Sequence, residues 1–316
     1  MPASASWYPS DSSLPAGDAV LRSFLPPLLA ACTGMSVEPP SDTDVDEGAC
    51  PELPAAPRPL ATGITKGTEG ITISPDGQLY VGSEDEVLRI ARDGTTTSIA
   101  STPGVIGIAW WRDAVWATSG QDDTGEDDPA LVEIAADGTT TRHPVPDIGS
   151  PNFLTPTPWG TLLVSDPFGT RIYEYTVDGT LTVWLDDLPS PNGMAFDADG
   201  TTLFVAHTFV APSPLHAIPV TDGQPGVPVT LGEFPAGTAP DGVAVSTTGE
   251  LLVALNLGER VDVWDGEALF TLSDGLFSAA SIAFGQPPFD PCALYVTSLF
   301  GDTVWEVPTP YRGEVP

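Results

Sequence analysis

Gln78-Leu79-Tyr80-Val81-Gly82-Ser83, Ala114-Val115-Trp116-Ala117-Thr118-Ser119 and Thr161-Leu162-Leu163-Val164-Ser165-Asp166 share one pattern, a short apolar run ending in small polar residues. Thr202-Leu203-Phe204-Val205-Ala206-His207, Glu250-Leu251-Leu252-Val253-Ala254-Leu255 and Ala293-Leu294-Tyr295-Val296-Thr297-Ser298 repeat it. The spacing is roughly 40 residues, the period of stacked supersecondary modules, and with strands inside each module it is the period of a propeller.

Turn signals precede most copies: Pro75-Asp76-Gly77, Ala198-Asp199-Gly200 and Thr248-Gly249 each place a glycine where a tight hairpin needs positive φ. Third strands follow over 87–91, 131–135, 171–176, 215–220, 261–264 and 303–307, and no long helical period competes with them. The expectation is an all-β, six-bladed β-propeller of four-stranded antiparallel blades over residues 58–308, with a tail at 309–316. Arg58-Pro59-Leu60-Ala61-Thr62 stands where other repeats carry the outer strand of the preceding blade. It is therefore expected to close the ring on the last blade.

Upstream of the repeats, residues 1–32 read as a targeting segment. Leu25-Pro26-Pro27-Leu28-Leu29-Ala30-Ala31-Cys32 is a short apolar run ending in small residues before a cysteine, with Arg22 as its positive flank. It resembles a bacterial lipoprotein signal, which makes Cys32 the expected site of lipidation. The acidic stretch Met1 to Asp18 does not belong to such a signal, so the expected start of translation lies near Val20. Residues 33–57, acidic and rich in proline, read as a solvated tether. Of the three cysteines, Cys50 and Cys292 then remain to pair in an oxidising compartment, one just before the closing strand and the other in the last blade. The expected location is the bacterial cell envelope, lipid-anchored or secreted.

The formal net charge of −33, from 43 acidic and 10 basic residues, argues against nucleic acid and against an anionic membrane face. Contact with a membrane is expected only through a lipid on Cys32, and the protein is expected to be a monomer. There is no Gly-rich phosphate loop, no Gly-x-Ser-x-Gly elbow and no Cys-x-x-Cys pair. Trp110, Trp111, Trp159 and Phe168 suit packing between blades as well as a substrate mouth. The acidic insertion from Gln121 to Asp128 lacks the spacing of an EF-hand loop and reads as a solvated turn.

In a propeller the start of each innermost strand lies at the mouth of the central channel. Aligned on the following apolar strand, those positions are Glu69, Ile106, Asn152, Asn192, Asp241 and Ser281. Glu69, Asn152, Asn192 and Asp241 offer carboxylate and amide oxygens of the kind a hard cation takes. His143, His207 and His216 fall at none of these positions, which counts against zinc.

With its Pro151-Asn152, Pro191-Asn192-Gly193 and Pro240-Asp241-Gly242 strand starts, the chain resembles the calcium-dependent propellers of the senescence marker protein 30/gluconolactonase family, which includes the squid-type phosphofluoridate hydrolase. The resemblance implies Ca2+, or another divalent cation, held by Glu69, Asn192 and Asp241, with Asn152 a ligand or a substrate contact. It further implies hydrolysis of a small-molecule lactone or related ester through attack by water or by Asp241, which leaves Asp241 and Asn152 as the expected catalytic residues. Relatives often carry arginine two residues before the third-blade asparagine, where this chain has Ser150. They also often carry an acidic residue at the position of His207. A non-catalytic ligand- or protein-binding propeller tethered to the envelope is the rival expectation.

Overall fold

The computed structural model describes residues 49–52, 55–64, 67–122 and 124–313. The signal-like segment, Cys32 and most of the tether lie outside them.

Six antiparallel sheets follow one another along the chain. The first blade is Ile71–Ile73, Leu79–Ser83, Glu86–Ile90 and Thr96–Ser101; the second is Val105–Trp111, Ala114–Gln121, Asp127–Ile134 and Thr140–Pro144. The third runs from Leu154–Pro156 to Leu181–Leu185, and the fifth from Pro240–Val245 to Leu269–Asp274. The fourth, from Pro191–Phe196 to Val229–Phe234, carries a short additional strand, Gln224–Pro225, on the end of its third strand. Every described element is a strand, as the alternating apolar pattern and its glycine turns require.

The sixth blade is assembled from both ends of the propeller. Ala279–Phe284, Ala293–Ser298 and Val304–Pro308 are joined by Arg58–Ala61, which pairs antiparallel with Val304–Pro308 in the register Arg58↔Glu306. Glu306 is buried, and its carboxylate accepts two hydrogen bonds from Arg58 Nη2, at 2.8 and 2.9 Å, and others from Arg92 of the first blade. One side chain thus ties together the closing strand, the last blade and the first. The Cys50–Cys292 disulfide, spanning 242 positions, fastens the same seam.

The core is divided among the blade interfaces rather than collected at one centre. Each of six apolar clusters lies between two neighbouring blades: Val87, Ile108 and Val132 between the first and second, for example, and Leu163, Met194, Leu203 and Ile218 between the third and fourth. Trp111 and Trp116 pack edge to face in the second interface, and Trp159 stacks on Trp184 in the third. The tryptophans are interblade packing, whereas Phe168 is 76% exposed.

The acidic insertion forms the hairpin tip between Ala114–Gln121 and Asp127–Ile134. Asp122 Oδ1 accepts hydrogen bonds from Thr124 N, Thr124 Oγ1 and Glu126 N, so this carboxylate organises an exposed turn.

Candidate metal centre on the propeller axis

Most axial side chains are set by the backbone just before and just after them. Two residues ahead, the chain enters the left-handed region at Gly67, Gly104, Ser190 and Ala239, and the last two of these lack the freedom of glycine at φ 55 and 49. Such residues persist where their surroundings over-determine them, often at ligand sites. Here the twist delivers Asn192 and Asp241 to the start of their strands.

The residue after the axial position meets the next blade's backbone. A Cβ on Gly193 would lie 1.9 Å from the carbonyl oxygen of Asp241, and one on Gly107 would lie 2.0 Å from that of Asn152. These glycines have ordinary φ, so their role is close approach of two backbones. Hydroxyls complete the ring. Thr118 Oγ1 donates to Asn152 O at 2.9 Å, Thr297 Oγ1 to Glu69 O at 2.5 Å and Thr208 Oγ1 to Pro240 O at 2.6 Å, each reaching from one blade into the next.

This ring corrects one aligned position. Ser281 N donates to Thr297 Oγ1 as Gly107 N does to Thr118 Oγ1, so Ser281 occupies the glycine position and Ala280 is the axial residue of the sixth blade. The innermost strands shift register at their first residues, between Pro191 and Met194 and likewise between Ala279 and Ile282. The shift is the same in both blades, so it sets Ala279 level with Pro191 and Ala280 level with Asn192.

Glu69, Asn152, Asn192 and Asp241 are brought together. Asn152 Nδ2 donates to Glu69 Oε1 at 3.3 Å, and Asn192 Nδ2 donates to Thr208 Oγ1 at 2.8 Å. That second bond turns the amide so that Asn192 Oδ1 is left buried without a hydrogen-bond partner, and Asp241 Oδ1 is orphaned in the same way. Thr208 is a site residue that motif reading missed. Its signal was position alone, next to the residue paired with Pro191.

Burial raises the Glu69 carboxyl from 4.5 to about 7, against a small opposing effect of the Asn152 hydrogen bond. Asp241 is raised well above its ordinary value, first by burial and then by the negative charge of Glu69, while Asn192 opposes the shift. Two carboxyls facing each other, Asp241 buried and Glu69 half-buried, with two buried acceptors lacking donors, are poorly satisfied by the protein alone. A divalent cation satisfies all of them, and the donor set of two carboxylates and two amides suits a hard one. The residues therefore fit the expected group.

His207 does not face this site. It is fully buried between the third and fourth blades, where Nδ1 donates to Pro189 O at 2.6 Å and Nε2 lies 2.8 Å from His216 Nδ1. Burial lowers its pKa to about 4, so it is a neutral strut at ordinary pH.

A family model described as the SMP-30/gluconolactonase/LRE-like region matches residues 164–300, a span that includes Asn192 and Asp241. Pentonolactonase XacC of Haloferax volcanii is 30% identical over 141 residues, 44% of this chain and 48% of that protein, so the chain matches about half of that relative's length. A gluconolactonase from Xanthomonas campestris superposes with a TM-score of 0.66 at 22% identity, over 82% of this chain and 97% of its own. Regucalcin from Agrobacterium tumefaciens, described as a calcium-binding protein, superposes with a TM-score of 0.67 at 20% identity, over 82% and 95%. The solved structures share the fold. Residues 164–300 of its six-bladed propeller are similar to the SMP-30/gluconolactonase/LRE-like region.

Proposed function

We propose that this protein is a calcium-dependent hydrolase of lactones or related esters. The observation that carries the reading is the pair of buried, unpartnered acceptors, Asn192 Oδ1 and Asp241 Oδ1, beside the mutually repelling carboxyls of Glu69 and Asp241. The likeness to a pentonolactonase and to gluconolactonase folds supports the same reaction class.

A bound cation supplies positive charge that polarises the substrate carbonyl and favours the oxyanion. The chain's own residues orient and move the proton. Asp241, almost fully shielded from solvent, takes a proton from an attacking water, or attacks the carbonyl itself and expels the alkoxide, leaving an acyl group that water then removes. Asn152, positioned through its backbone by Thr118 and through its amide by Glu69, orients the ester group. Glu69 balances the charge of the site.

The test is hydrolysis of a panel of lactones, aryl esters and phosphotriesters with calcium and with chelator. Turnover of a lactone that chelator abolishes and calcium restores is expected. Calcium binding without turnover of any member would instead make the protein a binding propeller.

The envelope location and the lipid on Cys32 belong to the same proposal, supported by the Cys50–Cys292 disulfide, which suits an oxidising compartment. Intact-mass measurement of the mature chain should find Cys32 diacylated at the N-terminus. A mature chain that retains residues before Cys32 would remove the anchor.

A further inference from the structure

The loops leaving the second strands carry an unexpected repeat. Aligned on Leu162-Leu163-Val164, Leu203-Phe204-Val205, Leu251-Leu252-Val253 and Leu294-Tyr295-Val296, the residue four positions after each run is Phe168, Phe209, Leu257 and Phe300. All four are exposed, between 48% and 76%. An isolated exposed apolar residue needs no explanation, but the same position exposed in four successive blades is a patch with a plan.

Register places these residues on the face that holds the axial site. Pro191 pairs with His207, Pro240 with Leu255 and Ala279 with Ser298, so Phe209, Leu257 and Phe300 each lie two residues beyond the partner of an axial strand start. Local hydrogen bonds tie the tips to the segments that carry the site. Phe209 N donates to Ser190 Oγ at 2.8 Å, two residues before Asn192, and the intervening Thr208 accepts from Asn192 itself. Leu299 N donates to Ser278 O at 2.9 Å, just before the innermost strand of the sixth blade.

Three of the four tips belong to two walls. Phe168 and Phe209 stack with ring centroids 4.8 Å apart across the third and fourth blades. Across the ring, Phe277 and Phe300 with Ile64 and Leu299 line an open cleft of about 720 Å³ at the junction of the sixth and first blades. In a ring of six, the third and fourth blades lie opposite the sixth and first.

The charged groups nearby speak against an anionic ligand. Among the described residues, Arg142, Arg171 and Arg260 on this face are each engaged by an aspartate, Asp128, Asp186 and Asp262 respectively. The overall charge of −33 also repels anions.

We propose that the substrate is a neutral lactone or ester bearing an apolar substituent, an alkyl chain or an aryl ring, whose carbonyl sits at the axis while the substituent lies against the phenylalanine walls. This inference rests on the hydrolase reading and deepens it. A polar reacting centre beneath an apolar rim matches an amphiphilic substrate, and a polyhydroxylated sugar lactone would leave the rim without a partner.

The experiment is a chain-length series of γ-lactones, unsubstituted to hexyl-substituted, compared with a sugar lactone. Binding of the 3-alkylcyclopentanones that correspond to γ-substituted lactones, and that cannot be hydrolysed, is followed in parallel by calorimetry. Each methylene should raise kcat/KM and cyclopentanone affinity about two- to fourfold until the wall is covered. Phe209→Ser and Phe300→Ser should flatten that dependence, and Phe270→Ser, on the outer strand of the fifth blade, should retain it. A flat series, or preference for the sugar lactone, overturns the proposal while leaving the hydrolase reading intact. Chain-length-dependent cyclopentanone binding without turnover of any lactone supports the apolar site and overturns the hydrolase reading instead.

Discussion

Asp241→Asn is expected to abolish function and stabilise the metal-free fold at the same time. On the functional side, the substitution removes a carboxylate from the site and the base or nucleophile from the reaction. Turnover should fall by about 10²–10⁴-fold and calcium binding should weaken with it. On the stability side, burial and the neighbouring Glu69 hold the Asp241 pKa above its unfolded value. A carboxyl raised in the folded state favours folding while protonated and opposes it once ionised. The metal-free protein should therefore lose stability as pH rises from the ordinary carboxylate range through about 7, the value of Glu69.

The shift of Glu69 from 4.5 to about 7 corresponds to roughly 3 kcal/mol. About 2.5 kcal/mol of this falls between pH 5 and pH 8, and at about 2–4 °C per kcal/mol for a domain of this size it predicts a melting temperature in chelator some 5–10 °C lower at pH 8 than at pH 5. Calcium should reverse the loss at pH 8 by pairing with the ionised carboxylates. Asp241→Asn in chelator at pH 8 should melt above the wild type and respond little to calcium. If it melts below the wild type there, the buried charges are not the source of instability and the assignment of the site is wrong.

Gly193→Ala is expected to damage the same centre from outside it. The added methyl would stand 1.9 Å from the carbonyl oxygen of Asp241, far inside any tolerated contact, with backbone on the opposing side. Two innermost strands must therefore separate, at a cost of about 1–3 kcal/mol or more. That movement displaces the residue carrying the carboxylate. Calcium affinity measured by calorimetry should drop by at least about tenfold. As a comparison, Gly237→Ala has open space around its Cβ position, although its φ of 82 brings local strain. It should lower stability but leave calcium affinity near that of the wild type. Equal losses of affinity in both variants would mean that Gly193 acts through general stability alone.

The contrast between Gly193 and the turn glycines shows what the sequence made legible. Asp76-Gly77 and Asp199-Gly200 sit at hairpins with φ of 77 and 66, where local chemistry is enough to read the turn. Pro191-Asn192-Gly193 looks like another turn, yet Gly193 is inside a strand, and its cause is a backbone nearly fifty residues away. Glu69, Asn152, Asn192 and Asp241 could be found because one residue per repeat points to the axis. Ser281 was placed one residue late because it is the polar residue beside an axial alanine, and only the backbone pairing sets Ala280 level with Asn192. Phe168 drew attention as an aromatic residue, but its kinship with Phe209, Leu257 and Phe300 emerges only once their loops are seen on one face.

The closing of the sixth blade also sets an order of events during synthesis. Arg58–Ala61 leaves the ribosome first among the strands, and its partner Val304–Pro308 leaves last. For nearly the whole of translation the early strand has no neighbour, and such an edge is an invitation to pair with another chain. Pro59 lacks a backbone donor and Arg58 carries charge, two traits that make a waiting strand a poor template for aggregation. The seam is therefore suited to remaining single until the chain's own last blade arrives to complete it.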